Sequence, residues 1–351
     1  QKKEILMYKN LDQASMFDSI WQFPDDLKKA DILGNNIKLS NQYSNINNIV
    51  IAGMGGSAIG GDVVSILENE NINCPIVISR GYSLPNWVNE NTLLICSSYS
   101  GNTEESLTAL DDGLKKKAQI IGITTGGKLA NKLTDLKKDI ILIPSGLQPR
   151  AALAFSFIPM IKFLDKISII ETKLDSWLND SINALIESRE LYSIDSMENP
   201  TYELAQQLHK NIPIIYADNS TYGVAALRLK GQLCENSKML AYHNELPELN
   251  HNEIVGWENN PNIFKYLFVL WLTDENDNPR VKLRQHITQE ILNENGVDQF
   301  VLEMTGNSFQ ERFLHMIHYG DWLSFWCAIA HGIDPSPVEK IDRLKKELMK
   351  K

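Results

Sequence analysis

Short runs of apolar residues, separated by longer stretches of mixed character, recur along the first half of the chain. The runs lie at 48–52, 75–79, 93–96, 120–124 and 140–144. Apolar residues within them follow one another rather than alternating with polar ones, as in strands buried on both faces of a parallel sheet. Helices are predicted between these strands, over 61–68 and 103–117. The repetition of strand and helix predicts a doubly wound α/β domain with right-handed crossovers.

The pattern changes after residue 150 and then returns. Residues 151–191 are typical of long helices. Further strands are then predicted at 212–216, 239–242, 268–273 and 300–303, and further helices at 221–235, 277–295 and 307–331. A short basic amphipathic helix is predicted in the tail, 335–351. We therefore predict two α/β domains, 1–155 with leading helices and 201–351 with the helical tail, joined by a helical connection over 156–200.

Composition and charge exclude several classes of protein. The 351 residues are 43% hydrophobic and 22% charged, which is ordinary globular composition and excludes a disordered chain or a coiled-coil rod. A net charge of -10 disfavours a nucleic-acid binder, whose binding surface is basic. No run approaches the roughly 18 apolar residues of a membrane span, and the polar start does not lead into a signal-peptide core. We expect a cytoplasmic protein that contacts neither nucleic acid nor membrane.

The cysteines and histidines give no indication of a metal site. The four cysteines, at 74, 96, 234 and 327, are scattered and form no C-x-x-C pair. The seven histidines show no ligand spacing. We expect no disulfide framework, no metal and no cofactor.

A glycine-rich segment, GMGGSAIGGD over 53–62, directly follows the first predicted strand. Gly55 and Gly56 would let the backbone approach a ligand closely, and a following helix would present free N–H groups to an anion. Dinucleotide binding is disfavoured, because Ala58 stands at the third glycine of that motif and Ser79-Arg80 stand where a ribose-binding acid is expected. A tight turn made only for packing is the alternative.

Three hydroxyl residues surround a glycine at the end of the third predicted strand, in the segment SSYSGNTEE over 97–105. Ser98, Ser100 and Thr103 can donate to a phosphate without carrying charge, and the start of a helix adds its dipole. The alternative is a helix-capping box, and both interpretations can hold together. A Walker motif is absent, which disfavours ATP chemistry.

Three further residues have side chains suited to catalysis. Arg150 follows the fifth predicted strand, where a guanidinium could meet an anion or an oxyanion, although a surface or capping arginine is the alternative. Glu235 closes an apolar helix, and His251 lies in a polar loop. A carboxylate and an imidazole can share acid–base work near neutral pH, although most such residues are solvated bystanders.

Together these segments resemble the bifunctional phosphoglucose/phosphomannose isomerase family, which is built of two sugar-isomerase (SIS) domains. The matching segments are GMGGS (53–57), SYSGNT (98–103), Pro149-Arg150, ENSK (235–238), NHN (250–252) and PSPVEKIDRLK (335–345). They span nearly the whole chain in the family's order. The resemblance implies two SIS domains, each a flavodoxin-like doubly wound parallel sheet flanked by helices.

The resemblance also implies an activity, the interconversion of glucose 6-phosphate and mannose 6-phosphate with fructose 6-phosphate through a cis-enediol(ate). Four hydroxyl side chains, in loops that include Gly55 and Gly56, would hold the 6-phosphate: those of Ser57, Ser98, Ser100 and Thr103. Glu235 would move the proton between C1 and C2, and Arg150 would stabilise the enediolate. Lys345 and His251, the latter from the neighbouring subunit of a homodimer, would assist ring opening. The family's threonine for mannose 6-phosphate has no evident counterpart, since Ser336 and Val338 stand in that region.

Two other classes compete with this interpretation. SIS domains also occur in non-catalytic sugar-phosphate regulators, but these usually carry a DNA-binding domain, for which little room exists before residue 53. An amidotransferase-type enzyme would require a glutaminase partner and an N-terminal cysteine nucleophile, which the sequence lacks.

Overall fold

The computed structural model describes residues 5–350, and these fall into two compact units. We call residues 22–182 the N-terminal unit, and residues 183–350 with 5–21 the C-terminal unit. Each contains one parallel sheet. The strands are β1 (Asn48–Ala52), β2 (Ile76–Ser79), β3 (Thr92–Ser97), β4 (Gln119–Thr124), β5 (Asp139–Leu142), β6 (Ile212–Asp218), β7 (Tyr242–Leu246), β8 (Leu267–Thr273) and β9 (Asp298–Glu303).

The α-helices alternate with these strands and also precede and follow them. They are α1 (Ile5–Leu11), α2 (Met16–Trp21), α3 (Phe23–Asn35), α4 (Gly55–Leu67), α5 (Glu104–Lys115), α6 (Gly127–Asp135), α7 (Leu153–Lys166), α8 (Leu174–Tyr192), α9 (Pro200–Leu208), α10 (Gly223–Ser237), α11 (Pro261–Phe264), α12 (Pro279–Glu294), α13 (Phe309–Ala330) and α14 (Glu339–Leu348). Short 3-10 helices cover Pro149–Ala151, Glu248–His251 and Glu253–Glu258. Among residues 5–350, no helix is both long and apolar enough to cross a membrane.

The N-terminal sheet has the strand order β2-β1-β3-β4-β5, with every pair parallel. This is the flavodoxin-like doubly wound order, so the predicted fold class is confirmed. All six residues of β3 are buried, as a central strand covered on both faces requires. The continuous apolar runs in the sequence have this physical cause.

The C-terminal sheet repeats the first four positions of that order, as β7-β6-β8-β9. Its strands are again parallel. The predicted strand at 239–242 is wrong in position, because β7 is Tyr242–Leu246. An edge strand is paired on one side only and tolerates the polar residues His243, Asn244 and Glu245, so hydrophobicity does not mark it.

The two compact units divide the chain differently from the predicted ranges 1–155, 156–200 and 201–351. Helix α7 is no connection, since eleven of its side chains are buried in the N-terminal unit. The boundary between the units falls inside α8. Residues 5–21 group with the C-terminal unit, where Phe17 packs edge-on against Trp322 with ring centroids 5.0 Å apart.

Candidate functional site

Strand order determines where a ligand site forms in each sheet. The order reverses between β1 and β3 in the N-terminal sheet, so the connections leaving their carboxyl ends diverge and open a crevice. The segment 53–57 follows β1, and the segment 98–103 follows β3. The fold therefore brings the two predicted phosphate loops together at the switch point of the sheet.

The first loop forms the start of α4, which begins at Gly55 and not near residue 61 as predicted. Glycine permits this close packing, because a Cβ on Gly53 would lie 2.9 Å from the carbonyl oxygen of Ser97 on β3. Gly55 has a φ of 51°, which favours glycine. The first turn of α4 carries no acidic residue, so the helix dipole favours an anion at this end.

A hydroxyl of the first loop contacts the backbone of the second. Ser57 is buried in the first turn of α4, and its Oγ accepts a hydrogen bond of 3.1 Å from the Tyr99 N–H. The Oγ of Ser98 lies 2.8 Å from Thr103 Oγ1 and accepts from the Gly101 N–H at 3.1 Å. Ser100 is exposed, and its Oγ accepts from the Asn102 N–H at 3.2 Å. We call Ser57, Ser98, Ser100 and Thr103 the hydroxyl cradle.

The helix-capping alternative for this segment is only partly met. Thr103 is the N-cap residue of α5, but its side chain makes no capping hydrogen bond. Its hydroxyl is instead directed at Ser98. The threonine side chain therefore belongs to the hydroxyl cluster, while the backbone at 103 starts the helix.

Arg150 lies against the first of these loops. It stands in the 3-10 helix Pro149–Ala151 and is only 3% exposed, so a surface arginine is excluded. A Cβ on Gly56 would lie 2.8 Å from the Pro149 carbonyl oxygen and 3.2 Å from the Arg150 Cα. The absence of a side chain at position 56 thus allows the arginine segment to touch the start of α4.

The three remaining predicted residues lie in the C-terminal unit, on three separate elements. Glu235 is half-buried in the last turn of α10. His251 is exposed at the end of the 3-10 helix Glu248–His251, and Lys345 is exposed on α14. Their cooperation with one another and with the hydroxyl cradle stays a prediction.

A polar face of α10 fixes the helix that carries Glu235. Arg228 donates to Asp321 of α13 at 2.8 Å, and Gln232 donates to the same carboxylate at 2.9 Å. One turn further on, Asn236 donates to Ser324 Oγ at 3.0 Å. Burial raises the pKa of Asp321, although Arg228 and Gln232 oppose this rise. These buried contacts hold the last two turns of α10 against α13.

Lys238 and Pro335 of the C-terminal unit join the end of α10 to the tail. Both lie in the sequence motifs, but neither was assigned a role. Lys238 caps α10 in a left-handed conformation with a φ of 53°. Its Nζ donates to the carbonyl oxygens of Glu235 at 2.9 Å and Pro335 at 2.8 Å. The ammonium therefore ties the Glu235 turn to the segment that leads into α14, and a cation is favourable at a helix C-terminus.

The switch point of the C-terminal sheet has the opposite chemistry to the hydroxyl cradle. Three buried aspartates lie there, because Asp218 is the last residue of β6 and Asp274 and Asp277 follow β8. Burial alone would raise the pKa of Asp274, but Arg312 donates to it at 2.7 and 3.0 Å and brings the pKa below its usual value. Burial raises the pKa of Asp277, whose carboxylate accepts from Thr221 and Gln285. Such a cluster disfavours a phosphate dianion.

Metal-binding geometry does not appear in the part of the chain that the structure describes. Among residues 5–350, no group of three or more His, Cys, Asp and Glu side chains could hold a metal ion.

Comparisons with known proteins identify the family to which this chain is similar. The family described as the bacterial phospho-glucose isomerase C-terminal SIS domain matches residues 197–348. A bifunctional phosphoglucose/phosphomannose isomerase of Caldicellulosiruptor bescii is 41% identical over 337 residues, which are 95% of this chain and 98% of the relative. One from Aquifex aeolicus is 37% identical over 303 residues, 86% of this chain and 90% of the relative.

A solved structure supports the fold alone. The crystal structure of a hypothetical protein from Thermus thermophilus superposes with a TM-score of 0.73 at 14% identity, covering 99% of this chain and 93% of the other.

Proposed function

The chain belongs to the bifunctional phosphoglucose/phosphomannose isomerase family, and from this premise we propose that it interconverts glucose 6-phosphate and mannose 6-phosphate with fructose 6-phosphate. The observation that carries the proposal is the hydroxyl cradle, a cluster of neutral donors at a sheet switch point with Arg150 packed beside it. Since its relatives are named as enzymes, a non-catalytic regulator is not favoured.

The phosphate of the sugar binds at the hydroxyl cradle in this proposal. Hydroxyl and backbone donors bind a dianion without a buried countercharge, and the α4 dipole adds to them. The corresponding edge of the C-terminal sheet carries buried carboxylates, which favours one phosphate site for each chain. A phosphate held away from the reacting carbons supplies binding energy that keeps C1 and C2 in place.

The isomerisation needs one base and one stabilising cation. Glu235 accepts the proton from one carbon and returns it to the next, so that a cis-enediol(ate) forms between the two steps. The Arg150 guanidinium stabilises the developing oxyanion, and such preorganised charge is usually the largest contribution to catalysis. Lys345 and His251 assist ring opening, with His251 supplied by the partner in a homodimer.

Replacement of Glu235 by Gln tests the base. The amide keeps the shape of the side chain but cannot take the proton, so kcat should fall by about 10²–10⁴-fold while affinity for fructose 6-phosphate survives. Glu294→Gln is the matched control, because Glu294 is an exposed residue in the last turn of α12 in the same unit. Near-normal turnover of Glu235→Gln would remove this residue as the base.

Subunit mixing tests the homodimer. Inactive Glu235→Gln and His251→Ala proteins should regain part of the activity when mixed, because a mixed dimer with shared sites contains one intact site. If labelled subunits exchange and the mixture remains inactive, the site is not shared between subunits.

A further inference from the structure

Tyr99 stands in the middle of the hydroxyl cradle, between Ser98 and Ser100, but the proposed chemistry gives it no role. Its side chain is half-buried, unlike that of the exposed Ser100. The contacts of Tyr99 reach three other loops of the N-terminal unit.

The backbone of Tyr99 joins the loops that follow β1, β3 and β4. Its N–H donates to Ser57 Oγ at 3.1 Å, across the switch point. Its carbonyl oxygen accepts from the N–H of Thr125 at 3.0 Å and from Thr125 Oγ1 at 2.7 Å. The main chain at this position therefore holds the cradle loops together whatever side chain it carries.

The side chain reaches a different segment, the one that leads from β5 to Arg150. The Tyr99 hydroxyl donates to the Pro144 carbonyl oxygen at 3.1 Å and accepts from the Leu147 N–H at 2.9 Å. One hydroxyl thus closes both ends of the turn at 144–147. Burial raises the pKa of Tyr99, so the group keeps the proton with which it donates.

We propose that Tyr99 is a positioning residue, whose hydroxyl holds the 144–150 segment so that Arg150 lies in its working place beside the hydroxyl cradle. This inference rests on the proposed function for the role of Arg150. The phosphate and the oxyanion contacts need a defined spacing, since both bind one sugar phosphate. The backbone of Tyr99 belongs to the proposed phosphate loop, and its side chain binds the 144–150 segment that carries Arg150. Tyr99 therefore sets that spacing.

Tyr99→Phe removes the hydroxyl and keeps the ring. Because the cradle hydroxyls remain, KM and the inhibition constant for inorganic phosphate should stay within about twofold. Arg150 loses its support, so kcat should fall about tenfold, in keeping with the sensitivity of catalysis to misplacement of about 1 Å.

Tyr43→Phe is the matched control in the same unit. Its hydroxyl donates to Asp139 at 2.9 Å, at the start of β5 and outside the proposed site. Both variants should lower Tm to a similar extent, but only Tyr99→Phe should lower kcat. Wild-type kcat in Tyr99→Phe, or an equal loss in Tyr43→Phe, would overturn the inference.

Hydrogen exchange separates this inference from the proposed function. The Leu147 amide should exchange faster in Tyr99→Phe than in the wild-type protein or in Tyr43→Phe. If the wild-type protein isomerises none of these sugar phosphates, the proposed function fails. The Leu147 exchange rate still tests the positioning role in that case, and an unchanged rate in Tyr99→Phe overturns it as well. An active wild-type enzyme with normal kcat in Tyr99→Phe overturns the positioning role alone.

Discussion

Replacing Gly56 with alanine should move Arg150 without altering any polar group. The new Cβ would lie 2.8 Å from the Pro149 carbonyl oxygen and 3.2 Å from the Arg150 Cα, and ordinary contact begins at 3.4 Å. The start of α4 is packed against β3, so we expect the 3-10 helix Pro149–Ala151 to be the element that moves. Its carbonyl must retreat by about 0.6 Å to relieve the overlap.

The expected kinetic effect follows from that displacement. A misplacement of about 1 Å can cost about a hundredfold in rate, so roughly 0.6 Å should lower kcat about tenfold. The free energy of unfolding should fall by about 1 kcal/mol, since overpacking costs about 1–3 kcal/mol and the better helix propensity of alanine offsets part of it.

Steady-state kinetics and urea unfolding measure both quantities on one preparation. Gly81→Ala is the control in the same unit, because nothing lies within 4 Å of a Cβ there. It should leave kcat unchanged. A folded Gly56→Ala enzyme with wild-type kcat would refute the reasoning, because Arg150 would then tolerate the displacement or have no part in the reaction.

Three further predictions concern the cradle, metal independence and pH. Thr103→Val should raise KM about tenfold through loss of one donor to a dianion, and a change confined to kcat would contradict it. Chelation with EDTA should leave turnover unchanged, and activity that is lost in EDTA and restored by zinc would contradict the metal-free mechanism. Burial lowers the pKa of His318 in the folded state to about 3. The unfolded state keeps the ordinary pKa of about 6.5 and therefore binds the proton first as pH falls. The free energy of unfolding consequently decreases from about pH 6.5 towards pH 3. The stability difference between wild type and His318→Gln, from urea unfolding, should therefore shift by about 2 kcal/mol against the wild type between pH 7 and 5. A constant difference would contradict this, because it would mean that His318 binds its proton equally well in the folded and unfolded states.

Part of the candidate site could be proposed from the sequence because those residues are neighbours in it. Ser98, Ser100 and Thr103 lie within six residues, and their hydroxyl chemistry is evident from the segment alone. Tyr99 is in the same segment, but its partners Pro144 and Leu147 lie more than forty residues away. No local pattern reports such a contact, which is why its position in the motif gave no indication of a role.

The start of α4 and the position of β7 show where local patterns fail. Gly60 and Gly61 are poor helix formers, yet they lie inside α4. A Cβ on Gly60 would overlap Ser156, and one on Gly61 would meet Ile51 and Ile78. Close packing of α4 against its neighbours outweighs the low propensity. The position of β7 was missed for a different reason. Its residues carry little hydrophobic signal, and pairing with β6 makes them a strand.

The sequence by itself determined the fold class and the hydroxyl chemistry of the proposed phosphate loop, because both depend on patterns within a few residues: continuous apolar runs, glycines before a helix, and clustered hydroxyls. Tertiary structure alone decided which loops meet. The strand order β2-β1-β3-β4-β5 brings Ser57 to Tyr99, and the close approach at Gly56 brings the Arg150 backbone to the start of α4. The physical reason is that strand pairing and packing depend on contacts between distant segments, and their energies are not encoded in any one segment.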